Sequence, residues 1–155
     1  DIASKIVSLE QLQNIVTQAK NESKKIVFTN GCFDILHRGH TNYLHQASHL
    51  GSVLVVGLNS DASVKGLKGA NRPINIQEDR AYVLASLQSV DYVVVFDEDT
   101  PLELISAIVP DVLVKGDEYK TEDVAGSDIA KETVLISMSE GKSTTSIIDK
   151  IIHSR

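Results

Sequence analysis

Five short apolar runs, spaced along the chain and separated by stretches of helical periodicity, restrict the possible folds most. Residues 25–29, 53–58 (VLVVGL), 92–96, 111–115 and 133–137 are each four to six residues long and almost free of charge. Strands that short and that uniformly apolar are buried on both faces, which happens in parallel sheets covered by helices. The intervening segments supply the helices. Leu9, Leu12, Ile15, Val16 and Ala19 repeat at helical spacing within 8–20, and Tyr43, Leu44, Ala47 and Leu50 do so within 40–50, where Gly51 is the stop. Further helices are expected over 77–88, from Pro101 to about 108, and from about Thr144 to Ile152. Residues 59–76, with Gly66, Gly69 and Pro73, are expected to be irregular. This pattern predicts an α/β fold: a Rossmann-like, doubly wound parallel sheet of about five strands. Residues 1–22 form an extra N-terminal helical extension that caps the sheet or joins a dimer interface, and 1–155 makes a single domain.

Composition narrows the partners. A formal net charge of −6 and the absence of tryptophan argue against a nucleic-acid partner, which needs a basic face and stacking aromatics. No apolar run approaches the roughly 20 residues that span a bilayer, so no membrane partner is expected. One cysteine, Cys32, excludes an intrachain disulfide, and residues 1–20 lack the apolar core of a signal peptide. A cytoplasmic location is the expectation, although a mature secreted chain also lacks its signal.

In such sheets ligands bind beyond the carboxyl ends of the strands, at the point where strand order reverses. The stretch TNGCFDILHRGH, residues 29–40, follows the first strand and lies there. Gly31 permits a tight turn and close backbone approach. A helix starting near Gly39 and His40 turns its free N–H groups toward an anion. His37 and His40, three residues apart, can aim two N–H donors at one phosphate and at the charge that grows on it during displacement. Ordinary capping or surface histidines are the plainer alternative. Ligation of a metal by Cys32, His37 and His40 is a weaker one, since no fourth ligand lies close by in sequence. Asp34 suits a turn-bracing role.

Three more segments reach the same sheet edge. Lys65, Lys68 and Arg72 cluster after the second strand, where cations neutralise a transferred phosphoryl group or simply form a solvated loop. Residues 114–120 (VKGDEYK), with Lys115, Gly116 and Asp117 among them, end the fourth strand and should line a nucleotide pocket, or simply form a strand-ending turn. Ser143, Thr144 and Thr145, with Lys142 before them, open the last helix, where hydroxyls and free N–H groups cap the helix and seat phosphate. Ser146 and Asp149 have the spacing of a capping box.

The stretch Gly31-Cys32-Phe33-Asp34-Ile35-Leu36-His37-Arg38-Gly39-His40 resembles the G-x-F-D-x-L-H-x-G-H signature of the cytidylyltransferase-like nucleotidyltransferases. The resemblance extends over about 25–152 and implies the HxGH type of Rossmann-like fold. It implies catalytic roles for His37, His40, Lys65 and Lys68. It implies nucleotide binding by Asn30, Gly31, Cys32, Phe33, Gly39, His40, Lys115, Gly116, Asp117, Ser143, Thr144 and Thr145, the last three holding the β- and γ-phosphates. Asp34, Lys68 and Arg72 are assigned to the sugar phosphate. Within the family, TNG-x-FDILH-x-GH, NSDAS-x-K-x-LKG-x-x-RP, VDYVV-x-F-x-EDTP, PD-x-LVKG and G-x-STT-x-II are similar to the heptose 1-phosphate adenylyltransferases. That branch implies ATP and a sugar 1-phosphate as substrates, Mg²⁺ carried with ATP, no resident metal, and a homodimer. Asp117 replaces a glycine usual in that branch, and Gly-Asp occurs in glycerol-3-phosphate cytidylyltransferase. A CTP-dependent polyol-phosphate cytidylyltransferase is therefore the alternative enzyme. A non-catalytic nucleotide-binding protein is the alternative of another class.

Overall fold

A computed structural model describes residues 1–137 and 143–154; the expected contribution of Lys142 lies outside the described residues. Five parallel strands form one sheet: β1 (Ile26–Gly31), β2 (Val53–Asn59), β3 (Tyr92–Phe96), β4 (Val112–Gly116) and β5 (Glu132–Ile136). Their spatial order is β3-β2-β1-β4-β5. The chain therefore builds outward from β1 in one direction, returns, and builds outward in the other. The crevice between the carboxyl ends of β1 and β4 is the switch point of a doubly wound Rossmann-like sheet.

Six α-helices among the described residues accompany the strands: α1 (Leu9–Asn21), α2 (Arg38–Ser48), α3 (Asp61–Lys68), α4 (Gln77–Ala85), α5 (Leu102–Ile108) and α6 (Thr144–His153). Alternation along β1 divides the core between two faces. Val27 joins Tyr43, Leu44 and Ala47 of α2 and Ala81, Leu84 and Ala85 of α4 on one side. Ile26 and Phe28 join Leu12, Val16 and Ala19 of α1 and Leu104, Ile105 and Ile108 of α5 on the other. Burial of both faces is why the strands are almost wholly apolar. No helix of the described residues is long and apolar enough to cross a membrane.

The N-terminal extension proves to be part of this covering layer. α1 packs beneath β1 and β3 against α5, and the Val7 N–H donates to the Val93 carbonyl at 2.9 Å. Its Ser8–Gln11 capping box is complete, so the helix start was written in the sequence.

Three expectations are corrected. Residues 61–68, within the segment expected to be irregular, form α3. Ser60 caps it, accepting from the Ser63 N–H at 3.2 Å; Gly66 faces open space, and Gly69, at φ 103°, ends the helix. β1 continues two residues past Thr29, to Gly31. The capping box of α6 pairs Ser143 with Ser146, not Ser146 with Asp149, so the helix begins at Thr144.

Candidate active site

The loop leaving β1 turns without glycine. Phe33 and Ile35 take positive φ values of 44° and 52°, a left-handed geometry that costs non-glycine residues energy. Gly31 serves a different purpose from the expected turn. A Cβ there would lie 2.9 Å from the Phe33 ring, so glycine lets that ring fold back over the strand end. Asp34 locks the loop. Its buried carboxylate accepts the Ile74 N–H at 2.6 Å, the Asn75 N–H at 3.0 Å and Arg72 Nε at 3.4 Å. The Thr144 hydroxyl donates to the Asp34 carbonyl and so ties α6 to the same loop. At the switch point itself, Thr29 Oγ1 donates to the Val114 carbonyl at 2.9 Å and receives the Tyr43 hydroxyl at 2.8 Å.

The two histidines are stacked, with ring centroids 3.9 Å apart, at the start of α2. His37 caps the helix through Nδ1, which accepts the Gly39 N–H at 3.0 Å. His40 Nδ1 accepts the His37 N–H at 3.4 Å. An imidazole nitrogen that accepts carries no proton, so His40, when neutral, holds its proton on Nε2. Burial, with help from neighbouring His37 and Lys68, pushes its pKa down to about 4. His40 is thus a neutral N–H donor at ordinary pH, while His37 caps the helix. Cys32 does not join them as a ligand: among the described residues no group of three or more His, Cys, Asp or Glu is placed to hold a metal.

A cavity of about 540 Å³ opens at this point. It is lined by Asn30, Gly31, Cys32, Phe33, Asp34 and His40 from the first loop and helix, Lys68 and Arg72 after β2, Lys115 and Gly116 after β4, and Thr144 from α6. Positive charge converges on it despite the acidic chain. Burial raises the pKa of the Cys32 thiol, while Lys68, Arg80, Arg72 and Lys115 all act in the opposite sense. Lys115 lies 5.0 Å from the centre of the Tyr119 ring, a cation–π contact. Burial lowers the Lys115 pKa, and Glu118 and Cys32 oppose that shift.

The remaining expected residues stand outside this cavity. His37 lines an adjoining one with Arg38, Ser146 and Lys150. Gly39 is buried in the first turn of α2. Lys65 is exposed one turn before Lys68 on α3. Asp117, expected in the nucleotide pocket, is exposed and does not line the cavity, and its N–H donates to the Ile136 carbonyl at 3.1 Å; the chain turns there, and Glu118 and Tyr119, exposed as well, line the cavity rim instead. Ser143 caps α6, and Thr145 is exposed.

Glu118 and Tyr119, from the segment expected at the pocket, line the cavity, as do Tyr43, Asn59 and Asp99, which were not anticipated. Asn59 ends a strand at the functional edge, and a buried tyrosine needs a partner for its hydroxyl, so those two carried a signal. Arg80 carried none. In sequence it is a polar position near a helix start, yet its side chain is only 1% exposed.

Residues 28–149 match the family model described as cytidylyltransferase-like. The chain is 64% identical over 147 residues to the bifunctional protein HldE of Campylobacter concisus and 60% identical over 146 residues to that of Nitratiruptor sp.. These matches take in 95% and 94% of the chain and 31% and 32% of the relatives, so the chain spans about a third of their length. Among solved structures, a lipopolysaccharide core biosynthesis protein from Thermoplasma volcanium superposes with a TM-score of 0.65 at 26% identity, over 76% of this chain and 99% of that one. Pantoate-beta-alanine ligase from Francisella tularensis shares the fold, with a TM-score of 0.65 at 15% identity over 94% of this chain and 72% of that one.

Proposed function

Since the chain belongs to the cytidylyltransferase-like family, we propose that it transfers AMP from ATP to D-glycero-β-D-manno-heptose 1-phosphate, giving ADP-heptose and pyrophosphate. The observation that carries this reading is the meeting of His40, Lys68, Arg72, Lys115 and Thr144 in one cavity at the switch point. It joins the heptose-branch pattern in the same segments, and the Thermoplasma neighbour's description as a lipopolysaccharide core protein points the same way. In this reading 1–155 is a single nucleotidyltransferase domain.

An oxygen of the sugar phosphate attacks the α-phosphorus in line, and the bond to pyrophosphate breaks. The attacking phosphate is already ionised, so no general base is required. Catalysis is positioning and charge stabilisation. His40 donates from Nε2 to the α-phosphate, where negative charge accumulates. Lys68, Arg72 and Lys115 offset the charge of the triphosphate and the acceptor. Lys65 and His37 act from the adjoining surface. Asp34 positions the sugar-phosphate side through its hold on Arg72 and the 74–75 backbone. Mg²⁺ enters as part of the substrate, on the triphosphate oxygens.

Asp117, the residue that departs from the heptose pattern, is exposed and does not line the cavity, which leaves the base end to Glu118 and Tyr119. That removes the argument Asp117 supplied for the cytidylyltransferase alternative and leaves the heptose-branch pattern, with ATP, as the reading. A homodimer in the cytoplasm is the proposed working form. The exposed Leu67, Ile74, Ile76 and Tyr82 on and between α3 and α4 offer an apolar surface for self-association.

Pyrophosphate release tests the assignment, with ATP and CTP each crossed against the heptose 1-phosphate and glycerol 3-phosphate. Release only with ATP and the heptose phosphate is expected. Release with CTP and glycerol phosphate would replace the proposal with its alternative.

A further inference from the structure

Resting on the phosphoryl-transfer reading, we propose that Arg80 is a positioning residue that sets the cations of the site against His40. Its guanidinium makes four bonds. Nη1 donates to the Cys32 carbonyl at 2.7 Å and the Asn59 carbonyl at 2.9 Å. Nε donates to the Asn75 carbonyl at 3.0 Å, and Nη2 to Asp61 Oδ1 at 2.8 Å.

Each bond lands on a different piece of the site. Cys32 opens the loop that leads through Asp34 to His40. Asn59 ends β2. Asp61 opens α3, whose last residue is Lys68. Asn75 belongs to the segment that carries Arg72 and holds the Asp34 carboxylate. One planar group therefore determines the spacing of the first loop, α3 and the 72–75 segment.

Stability alone is a poor reason for this arrangement. A buried charge is expensive to desolvate, and a well-packed apolar residue is often as stable or better. The single carboxylate partner, Asp61, is 35% exposed and so compensates only in part. What a guanidinium supplies, and an ammonium or an apolar chain does not, is a rigid fork of donors at fixed angles. Three backbone carbonyls and one carboxylate use that fork here.

The test is a double-mutant cycle on binding of inorganic tripolyphosphate, measured by calorimetry at fixed ionic strength. The proteins are the natural chain, Arg80→Lys, Lys68→Ala and the pair. Arg80→Lys keeps the charge but loses the fork, and about tenfold weaker binding is expected. If Arg80 acts by placing Lys68, the pair binds no more weakly than the worse single variant. Asp61→Asn, altered at the exposed end of the network, should show a smaller loss with the same coupling, and it serves as the test if Arg80→Lys does not fold. Losses that multiply independently, or a lowered Tm with unchanged affinity, would overturn the proposal. So would absence of tripolyphosphate binding by the natural chain. Turnover with ATP and the heptose phosphate is measured in parallel. Its absence alongside a coupled cycle removes the proposed acceptor and leaves Arg80 in place.

Discussion

A histidine inside a ring of cations is useful only if it stays neutral and keeps its proton on the outward nitrogen. His40 meets both conditions, through a pKa of about 4 and through the backbone N–H that occupies Nδ1. His40→Ala should lower kcat by about 10²–10³, the loss of one transition-state donor worth about 2.7–4 kcal/mol. Circular dichroism should remain unchanged, and turnover close to that of the natural chain would remove His40 from the mechanism. The same shift bears on stability. The folded protein binds this proton only near pH 4, whereas the unfolded chain binds it below its ordinary value of 6.5. Between those limits the unfolded state holds more protons, so stability declines as pH falls from 6.5 toward 4. In His40→Gln that part of the slope in Tm against pH should disappear.

The elements are pinned at their starts by carboxylates. Asp111 Oδ2 accepts the Ile26 N–H at 2.7 Å just before β4, and Asp91 Oδ2 accepts the Leu54 N–H at 2.7 Å just before β3. Each lies at the amino-terminal edge and ties an outer turn to the neighbouring strand. Burial alone would raise the Asp111 pKa, but the Ile26 N–H and Lys131 hold it below the ordinary value. Asp111→Ala leaves the Ile26 N–H without that partner and should destabilise by about 1–3 kcal/mol in urea unfolding. A loss within error would show that water replaces the carboxylate. Capping was readable at this scale: Ser8, Ser60 and Ser143 each precede a helix and accept from its third N–H. α3 was missed because Gly66 within it and Gly69 just after it mimic a loop, while its helical state depends on Val64 packing at 0% exposure.

For the whole molecule, charge is distributed unevenly. The chain carries a net −6, yet Lys68, Arg72 and Lys115 share one cavity. Attraction of a triphosphate to such a local cluster is long-ranged and screened by salt. Raising ionic strength from about 0.01 to about 0.15 M shortens the Debye length from about 30 to about 8 Å, so the Kd for ATP should rise over that interval. A Kd indifferent to salt would mean that contacts to the base dominate. At this scale too, the parallel sheet and its two covered faces make a rigid frame whose switch point gathers loops from β1, β2 and β4.

Local chemistry was sufficient for the parallel α/β architecture, for the starts of most helices though not α3, and for placing the β1 loop at the carboxyl edge of the sheet, where the cavity lies. Apolar runs, hydroxyl caps and the spacing of His37 and His40 act over a few residues and are legible there. Only the tertiary structure decided which expected residues share a cavity. Asp117 and Glu118 are neighbours in sequence and both are exposed, but after the turn that follows β4 Glu118 lines the cavity and Asp117 does not. Arg80 is separated by 48 residues from Cys32 and by 19 from Asp61, and a polar side chain on a helix does not reveal which distant carbonyls it will serve. Those partners depend on three segments arriving at one point, and that is a property of the packed sheet rather than of any stretch within it.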